Sequence, residues 1–380
     1  MTSAADFRRR HYPQASEAEW ADWRWQLRHR IHDLPGLERL LELTDDERAA
    51  IQRRLDAPGG MLPLGLTPYY AQLLHPTDPT DPLRRTMVPA LDEFEVSADE
   101  CDDPLGEDAH SPMPGLVHTY PDKVLLLATD FCAAYCRYCT RARMVGGGEF
   151  LPDRSMWQRA LDYIAERPEI RDVLISGGDP QILSDERLEW LLSRLHAIPH
   201  IEFIRIGTKV PAVLPQRITP AFCQMLKRYH PVFFSIHFIH PDELTPEVAV
   251  ACNRLADHGI VSGGQTVLLK GVNDDPDIMK ALNLGLLKIR VRPYYLHQCD
   301  PIKGSMHFRT PVQAGLDILR SLTGHTTGYA VPQFMIDAPG GGGKIPISPN
   351  YVKGKEGDTL LLENFRGQIY KYDDAGGEGE

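Results

Sequence analysis

Three cysteines, Cys132, Cys136 and Cys139, form a C-x3-C-x2-C run inside TDFCAAYCRYCTRAR. Three thiolates on one short loop can hold three irons of a [4Fe–4S] cube, and no fourth cysteine stands at ferredoxin-like spacing. The fourth iron is then open to another molecule, which points to chemistry at the cluster rather than electron relay. A zinc knuckle is the competing reading. Structural zinc wants four ligands in a closed site, and His118, Cys101, Cys223, Cys252 and Cys299 are too scattered to complete one.

A second feature lies about two hundred residues downstream. In FMIDAPGGGGKIPISPNY four glycines, Gly340 to Gly343, run directly into Lys344. Glycines remove side-chain bulk and permit positive φ, so backbone can approach a ligand closely. A lysine on such a loop is a phosphate clamp, a Schiff-base former, or part of a plain flexible loop. The P-loop pattern fails at both ends: Ala338 replaces its first glycine, and Ile345 follows the lysine where Ser or Thr is required.

Taken together, the cysteine run, SGGD at Ser176–Asp179 and DAPGGGGK make the chain resemble the lysine 2,3-aminomutase family of the radical S-adenosylmethionine (SAM) superfamily. Further matching stretches include TPYYAQLL, DPLRRTMVPA, DPLGEDAHSPMPGLVHTYPDKVLLLATD, RIGTKVPAVLPQRITP, KIRVRPYYLHQCDP and LENFRGQIYKY, so the resemblance covers roughly residues 17 to 372. It implies three cofactors, a [4Fe–4S] cluster, SAM and pyridoxal 5′-phosphate (PLP), and an isomerase interconverting L-lysine and L-β-lysine by 1,2-amino migration driven by a 5′-deoxyadenosyl radical.

The resemblance also implies roles for particular residues. Cys132, Cys136 and Cys139 would ligate the cluster. Tyr138 takes the aromatic position near the adenine, with loop packing as its rival role. Ser176, Gly177, Gly178 and Asp179 would present groups to SAM, and His237 and Gln265 would reach it too, with a satisfied polar core position as the alternative for both. Lys344 would form the Schiff base with PLP. That attack needs a neutral amine, which burial or a neighbouring cation would favour. Lys123 and Asn350 would contact PLP. Arg141 would grip the substrate carboxylate through two parallel hydrogen bonds. Asp300 and Asp337 would hold the side-chain ammonium of lysine, a pair that disfavours glutamate.

Some positions depart from the family pattern. Thr119 and Lys123 stand where arginines near PLP are expected, so the phosphate contacts differ. Lys303, three residues after Asp300, adds a cation that makes arginine a rival substrate. Because no cysteine follows Cys299, the structural zinc that some relatives carry near the C-terminus is not expected. Other readings are a relative that modifies lysine for attachment to a protein and, outside enzymology, an iron–sulfur redox sensor. A sensor has no need of Lys344, Asp300 and Asp337 together.

The elements that must position these residues read in parts. Residues 1–110 are a helix-rich N-terminal region whose Trp20, Trp23 and Trp25 read as packing. Residues 111–325 alternate β-rich runs such as VLLLAT and DVLISGGD with amphipathic stretches such as MWQRALDYIAER and ERLEWLLSRLHAI. That alternation predicts an α/β fold with a parallel sheet and crossover helices. Six repeats fit a partial (β/α)6 TIM-like barrel of the radical SAM type, with function gathered at the C-terminal ends of its strands. Residues 326–372 form the C-terminal PLP-lysine segment, folding back over the barrel mouth and ending in a strand pair. Residues 373–380 read as a disordered tail.

Composition bounds the rest. A net charge of −11 over 380 residues argues against a nucleic-acid footprint. No run of apolar residues is long enough to span a membrane, and the N-terminus lacks the apolar stretch of a secretory signal. Seven cysteines, three of them committed to a cluster, fit a reducing cytoplasm. The expected partners are an amino acid substrate, a reductant such as flavodoxin or ferredoxin, and a second copy of the chain in a homo-oligomer.

Overall fold

The computed structural model describes residues 4–56, 62–148, 150 and 152–374. Nine strands form one sheet in chain order: β1 Leu116–Tyr120, β2 Lys123–Thr129, β3 Asp172–Gly177, β4 Phe203–Thr208, β5 Val232–His237, β6 Val261–Leu268, β7 Arg292–Gln298, β8 Gln333–Ala338 and β9 Gly343–Ile347. The ladder is parallel from β2 to β8, and an antiparallel strand closes each end. Parallel strands covered on both faces read as nearly continuous apolar runs, and VLLLA in β2 does so.

The crossover helices bury one stripe each. In Arg154–Ala165 the buried residues are Trp157, Ala160, Leu161 and Ile164, and in Asp185–His196 they are Leu188, Leu191, Leu192 and Leu195. This i, i+3, i+4, i+7 spacing lays one face on the sheet. Asp153 and Ser184 cap the two helices through the backbone N–H groups of Met156 and Arg187. Strand residues such as Val173, Ile175, Ile204, Ile206 and Phe234 complete the core.

The expected partial barrel is present, and its six anticipated strands are β2 to β7. The parallel run continues one strand further. β8 pairs with β7, its Phe334 and Met335 buried, so the chain leading to Lys344 is a barrel stave. The sheet order does not return from β9 to β1 among the described residues, so the barrel stays open.

Beyond it lies a second antiparallel sheet of β10 Val352–Glu356, β11 Thr359–Glu363 and β12 Ile369–Asp373. Three strands stand where the sequence suggested a pair. The extra one forms because the NFRG turn returns IYKYD onto TLLLE in unbroken register. Asp373 ends β12, and the tail from 375 lies outside the described residues. In the N-terminal region Trp23 and Trp25 are buried, and Trp20 packs with Phe7, Tyr12 and Trp25. No helix among the described residues is long and apolar enough to cross a membrane.

Candidate active site

The cysteine loop leaves the C-terminal end of β2 and is clamped at once by the end of β3. Gly178 N–H donates to Thr129 C=O at 2.5 Å, and Asp179 N–H donates to Phe131 C=O at 2.9 Å. The contact requires glycine. A Cβ on Gly178 would lie 2.4 Å from the Phe131 oxygen, and one on Gly177, whose φ is +126°, would lie 2.2 Å from the Thr129 oxygen. The Asp179 carboxylate is occupied. It accepts from Thr208 Oγ1 at 2.8 Å and from the N–H groups of Gln181, Lys209 and Val210 at 3.1, 2.7 and 3.1 Å. Burial still holds this carboxyl above its usual range, against those hydrogen bonds. Asp179 therefore ties β3 to the end of β4 and holds the glycines in place.

The N-terminal region supports the loop from the other side. Tyr135 N–H donates to Gly65 C=O at 2.8 Å, and Arg137 N–H to Thr86 C=O at 2.9 Å. The buried Arg137 guanidinium meets Glu93 (Nε–Oε1 2.9 Å, NH2–Oε2 2.5 Å) and donates to the carbonyls of Pro63 and Leu62. Arg54 approaches the same Glu93 at 2.6 Å. The sequence reading missed this support. Its signal was an arginine inside the cysteine run, a residue with no reason to be there unless paired.

Cys132, Cys136 and Cys139 line one cavity of about 140 Å3, and Tyr138, Ser176–Asp179 and His237 share its wall. Burial pushes all three thiols up, Cys139 to about 11. No three His, Cys, Asp or Glu side chains among the described residues converge as a single-ion site. A mononuclear zinc knuckle is therefore the poorer fit. Three thiols opening on a shared cavity beside the glycine turn suit a cluster with a ligand on its open iron.

His237 and Gln265 are register partners at the ends of β5 and β6, with His237 Nε2 2.6 Å from Gln265 Nε2. Burial, with Lys209 adding to it, pushes His237 down to about 3, so its ring is neutral and accepts from the amide. Tyr138 is buried beside Cys136, and its ring meets Phe308 edge-on. The cavity wall also contains Lys209, not singled out from the sequence. Its Nζ pairs with the fully buried Glu243 at 2.6 Å, and Tyr70 donates to the same oxygen at 2.8 Å.

A second cavity, of about 470 Å3, opens on Lys344. β8 and β9 form a hairpin in which Asp337 and Lys344 are cross-strand partners, so Nζ lies 2.8 Å from both Asp337 oxygens. The glycines make this turn. Gly340, Gly341 and Gly343 have φ of +69°, +85° and +80°, and a Cβ on Gly341 would lie 2.2 Å from the His110 ring. They serve the turn and its packing on the chain itself. Lys344 N–H donates to the Tyr120 hydroxyl at 2.8 Å. A carboxylate partner, rather than burial or a neighbouring cation, faces the amine.

The same cavity is lined by Thr119, Lys123 and Arg205. The Lys123 ammonium lies 4.2 Å over the Tyr120 ring, and Arg205 donates to Asp172 at 2.8 Å. Lys123 begins β2 and Arg205 is third in β4, whereas Asp337 is near the end of β8. The cavity thus carries cations toward one end of the barrel and an amine toward the other. That donor set suits PLP, which has a phosphate at one end and an aldehyde at the other. Asn350 is not part of it: this exposed side chain accepts from Val352 N–H at 3.0 Å in a turn beyond β9. Lys303 is elsewhere too, paired with Asp102 at 2.6 Å beside a separate recess.

Arg141 borders both cavities. Its guanidinium pairs with Glu107, NH2–Oε1 at 2.6 Å and Nε–Oε2 at 3.0 Å. Asp300 accepts from Thr140 Oγ1 at 2.9 Å, and burial, followed by the charge of Asp337, pushes its carboxyl up to about 6. At Asp337 burial acts in the same sense, but the hydrogen bond to His297 and the Lys344 ammonium prevail and hold it at about 2. Two carboxyl groups within each other's field titrate apart in this way.

Two family models match the chain: the radical SAM superfamily over residues 126–282 and lysine-2,3-aminomutase over residues 319–377. The chain is 49% identical to the L-lysine 2,3-aminomutase of Clostridium subterminale over 361 residues, 95% of this chain and 86% of that one. It is 49% identical to the L-lysine 2,3-aminomutase of Acetoanaerobium sticklandii over 363 residues, 96% and 87% of the two chains. It is 41% identical to the glutamate 2,3-aminomutase of Clostridioides difficile over 359 residues, 94% of this chain and 84% of the relative.

Proposed function

This chain belongs to the lysine 2,3-aminomutase family of radical SAM enzymes, and on that premise we propose that it interconverts L-lysine and L-β-lysine. The observation that carries the reading is Arg141, which stands in the wall between the cysteine cavity and the Lys344 cavity. A substrate held there lies against both sets of chemistry.

When bound, the cluster and SAM supply a hydrogen-abstracting radical, and PLP supplies an aldehyde that carries the migrating nitrogen. The chain's own residues do the rest. Cys132, Cys136 and Cys139 hold the cluster, and the Gly177–Gly178 turn fixes their loop. His237, Tyr138 and Ser176 form the wall available to SAM, with Gln265 behind His237 as its hydrogen-bond partner. Lys344 holds PLP, with Lys123 and Arg205 available to its phosphate; Thr119 adds only a hydroxyl. Arg141 takes the substrate's carboxylate.

Asp300 and Asp337 take the side-chain ammonium. In the structure Asp337 pairs with the Lys344 ammonium, so the carboxylate becomes available to substrate when Lys344 is engaged elsewhere. Two acids select a cationic side chain and reject glutamate. The case for arginine rested on Lys303, whose salt bridge to Asp102 lies outside the substrate cavity, so lysine is the substrate proposed. A low-potential reductant such as flavodoxin or ferredoxin would deliver the electron, and an oxygen-sensitive cluster places the enzyme in the cytoplasm.

Anaerobic reconstitution with iron, sulfide, PLP, SAM and dithionite, followed by NMR of products from equal L-lysine and L-arginine, tests the reading. β-Lysine alone is expected. β-Arginine as the main product would transfer the substrate assignment, and neither product from a loaded enzyme would refute the activity.

A further inference from the structure

We propose that Glu107 is a positioning residue for substrate recognition: it clamps one edge of the Arg141 guanidinium, aims the other edge at the substrate's carboxylate, and keeps Arg141 off Asp300. The proposal rests on the reading of Arg141 given above.

A guanidinium offers two forks, one made by Nε with NH2 and one by NH1 with NH2. Glu107 occupies the first, at 3.0 and 2.6 Å. NH1 has no hydrogen-bond partner among the described residues, so the second fork is open, and Arg141 itself lines both cavities. One carboxylate of the chain thus orients the group that a substrate carboxylate would meet from the other side.

The backbone that carries the Glu107 carboxylate is fixed in place. Its N–H donates to Asp103 at 3.0 Å, and its C=O accepts from Ser111 Oγ at 2.7 Å and from His110 N–H at 3.2 Å. The surrounding segment is fastened to the Asp300 loop, to the cysteine loop and to the turn before Lys344. Cys101 N–H donates to Pro301 C=O at 3.0 Å beside Asp300, and Lys303 N–H donates back to Cys101 C=O at 3.2 Å. Asp108 pairs with Arg143 of the cysteine loop at 2.7 Å. Gly106 lies against the turn before Lys344, where a Cβ would come within 2.8 Å of the Gly340 carbonyl carbon.

Arg141 needs such a tether because a second carboxylate stands close by: Asp300 accepts at 2.9 Å from the hydroxyl of Thr140, the residue before Arg141. An untethered guanidinium would turn toward Asp300 and cancel the ammonium site. Glu107 partly neutralises Arg141, which weakens its pull on a carboxylate. The gain is that the carboxylate and ammonium sites remain separate.

The test is steady-state kinetics on the reconstituted holoenzyme with L-lysine as substrate and L-lysinamide, which lacks the carboxylate, as competitor. Glu107→Gln and Glu107→Ala should raise KM for lysine roughly tenfold to hundredfold, with a smaller change in kcat, unchanged iron and PLP content and unchanged inhibition by lysinamide. If Glu107→Ala fails to load its cofactors, Glu107→Gln, which keeps the shape and one acceptor, decides. An unchanged or lowered KM in Glu107→Gln overturns the proposal, the lowered value making Glu107 a competitor for Arg141. Arg141→Gln separates the two levels. If it leaves KM for lysine unchanged, the carboxylate reading of Arg141 fails, whereas a raised KM there with none in Glu107→Gln sinks the positioning role alone.

Discussion

Asp300→Asn should make the cofactor-free protein more stable and the enzyme worse. The Asp300 carboxyl rises from 3.8 to about 6, first because it is buried and then because Asp337 is charged beside it. A rise of about two pKa units corresponds to about 3 kcal/mol of unfavourable charge. The sign follows from proton binding. Between pH 4 and pH 6 the unfolded chain has released this proton and the folded protein retains it, so stability falls as pH rises through that window. Above about pH 6 the carboxylate is charged in both states and the full penalty is present. Asparagine carries no such penalty and can still accept from Thr140. The variant's advantage in urea unfolding should therefore be near zero at pH 4 and grow to at most about 3 kcal/mol at pH 8. The same substitution should raise KM for lysine and abolish the loss of lysine affinity expected of the parent below about pH 6. A stability difference that does not change with pH, or an unaltered KM profile, would refute the idea that Asp300 is a strained carboxylate kept for a cationic ligand.

Three further substitutions probe the site. Lys344→Ala should remove the absorbance of the lysine-bound PLP and lower activity by several orders of magnitude while iron content holds; retained absorbance would assign the Schiff base to another lysine. Gly178→Ala forces a Cβ to within 2.4 Å of the Phe131 oxygen, so iron content after reconstitution should fall to a small fraction of the parent's. Full loading would show that the clamp on the cysteine loop is dispensable. Arg137→Gln leaves the buried Glu93 with Arg54 alone. Breaking such a pair costs about 3–5 kcal/mol, which should appear as a lower urea midpoint and as faster loss of iron. An unchanged midpoint would mean that the network adds nothing to stability.

The barrel and both ends of the site were legible in the sequence for separate reasons. Alternation of strand and helix patterns gave β2 to β7, since buried parallel strands and one-sided helices differ in period. The cysteine run was legible because its spacing is local. Lys344 was legible as a candidate, but its pairing with Asp337 was not, because that contact depends on hairpin register. DAPGGGGK runs eight residues from acid to amine, and only the turn geometry decides that they face each other. Lys303 misled for the converse reason. Three residues from Asp300 in the chain, it points to Asp102 instead. Asn350 likewise answers to its own turn. Asp179 was recognised as part of the motif, but its four donors lie on Gln181 and on the stretch from Thr208 to Val210, and no local pattern announces them.

The N-terminal region was read as packing beside a catalytic barrel, and the contacts show why it belongs to the site. Two cations on the cysteine loop, Arg137 and Arg141, point outward from the same short segment. A loop of this kind has no regular secondary structure to fix it, and the strand ends hold it through Thr129, Gly178 and Asp179. Its other supports are carboxylates from outside the barrel, Glu93 and Glu107, each on a segment with its own ties to the loop that carries Asp300 or to the one that carries Lys344. Buried carboxylates of this kind are rarely tolerated without a partner, and here the partners are the arginines of the cysteine loop, with Arg54 added at Glu93. The cost of burying these charges is offset only if all of them are in place. The cysteine loop and the N-terminal region should therefore order together, and a chain lacking residues 1–110 should fail to bind its cluster even with every barrel strand present.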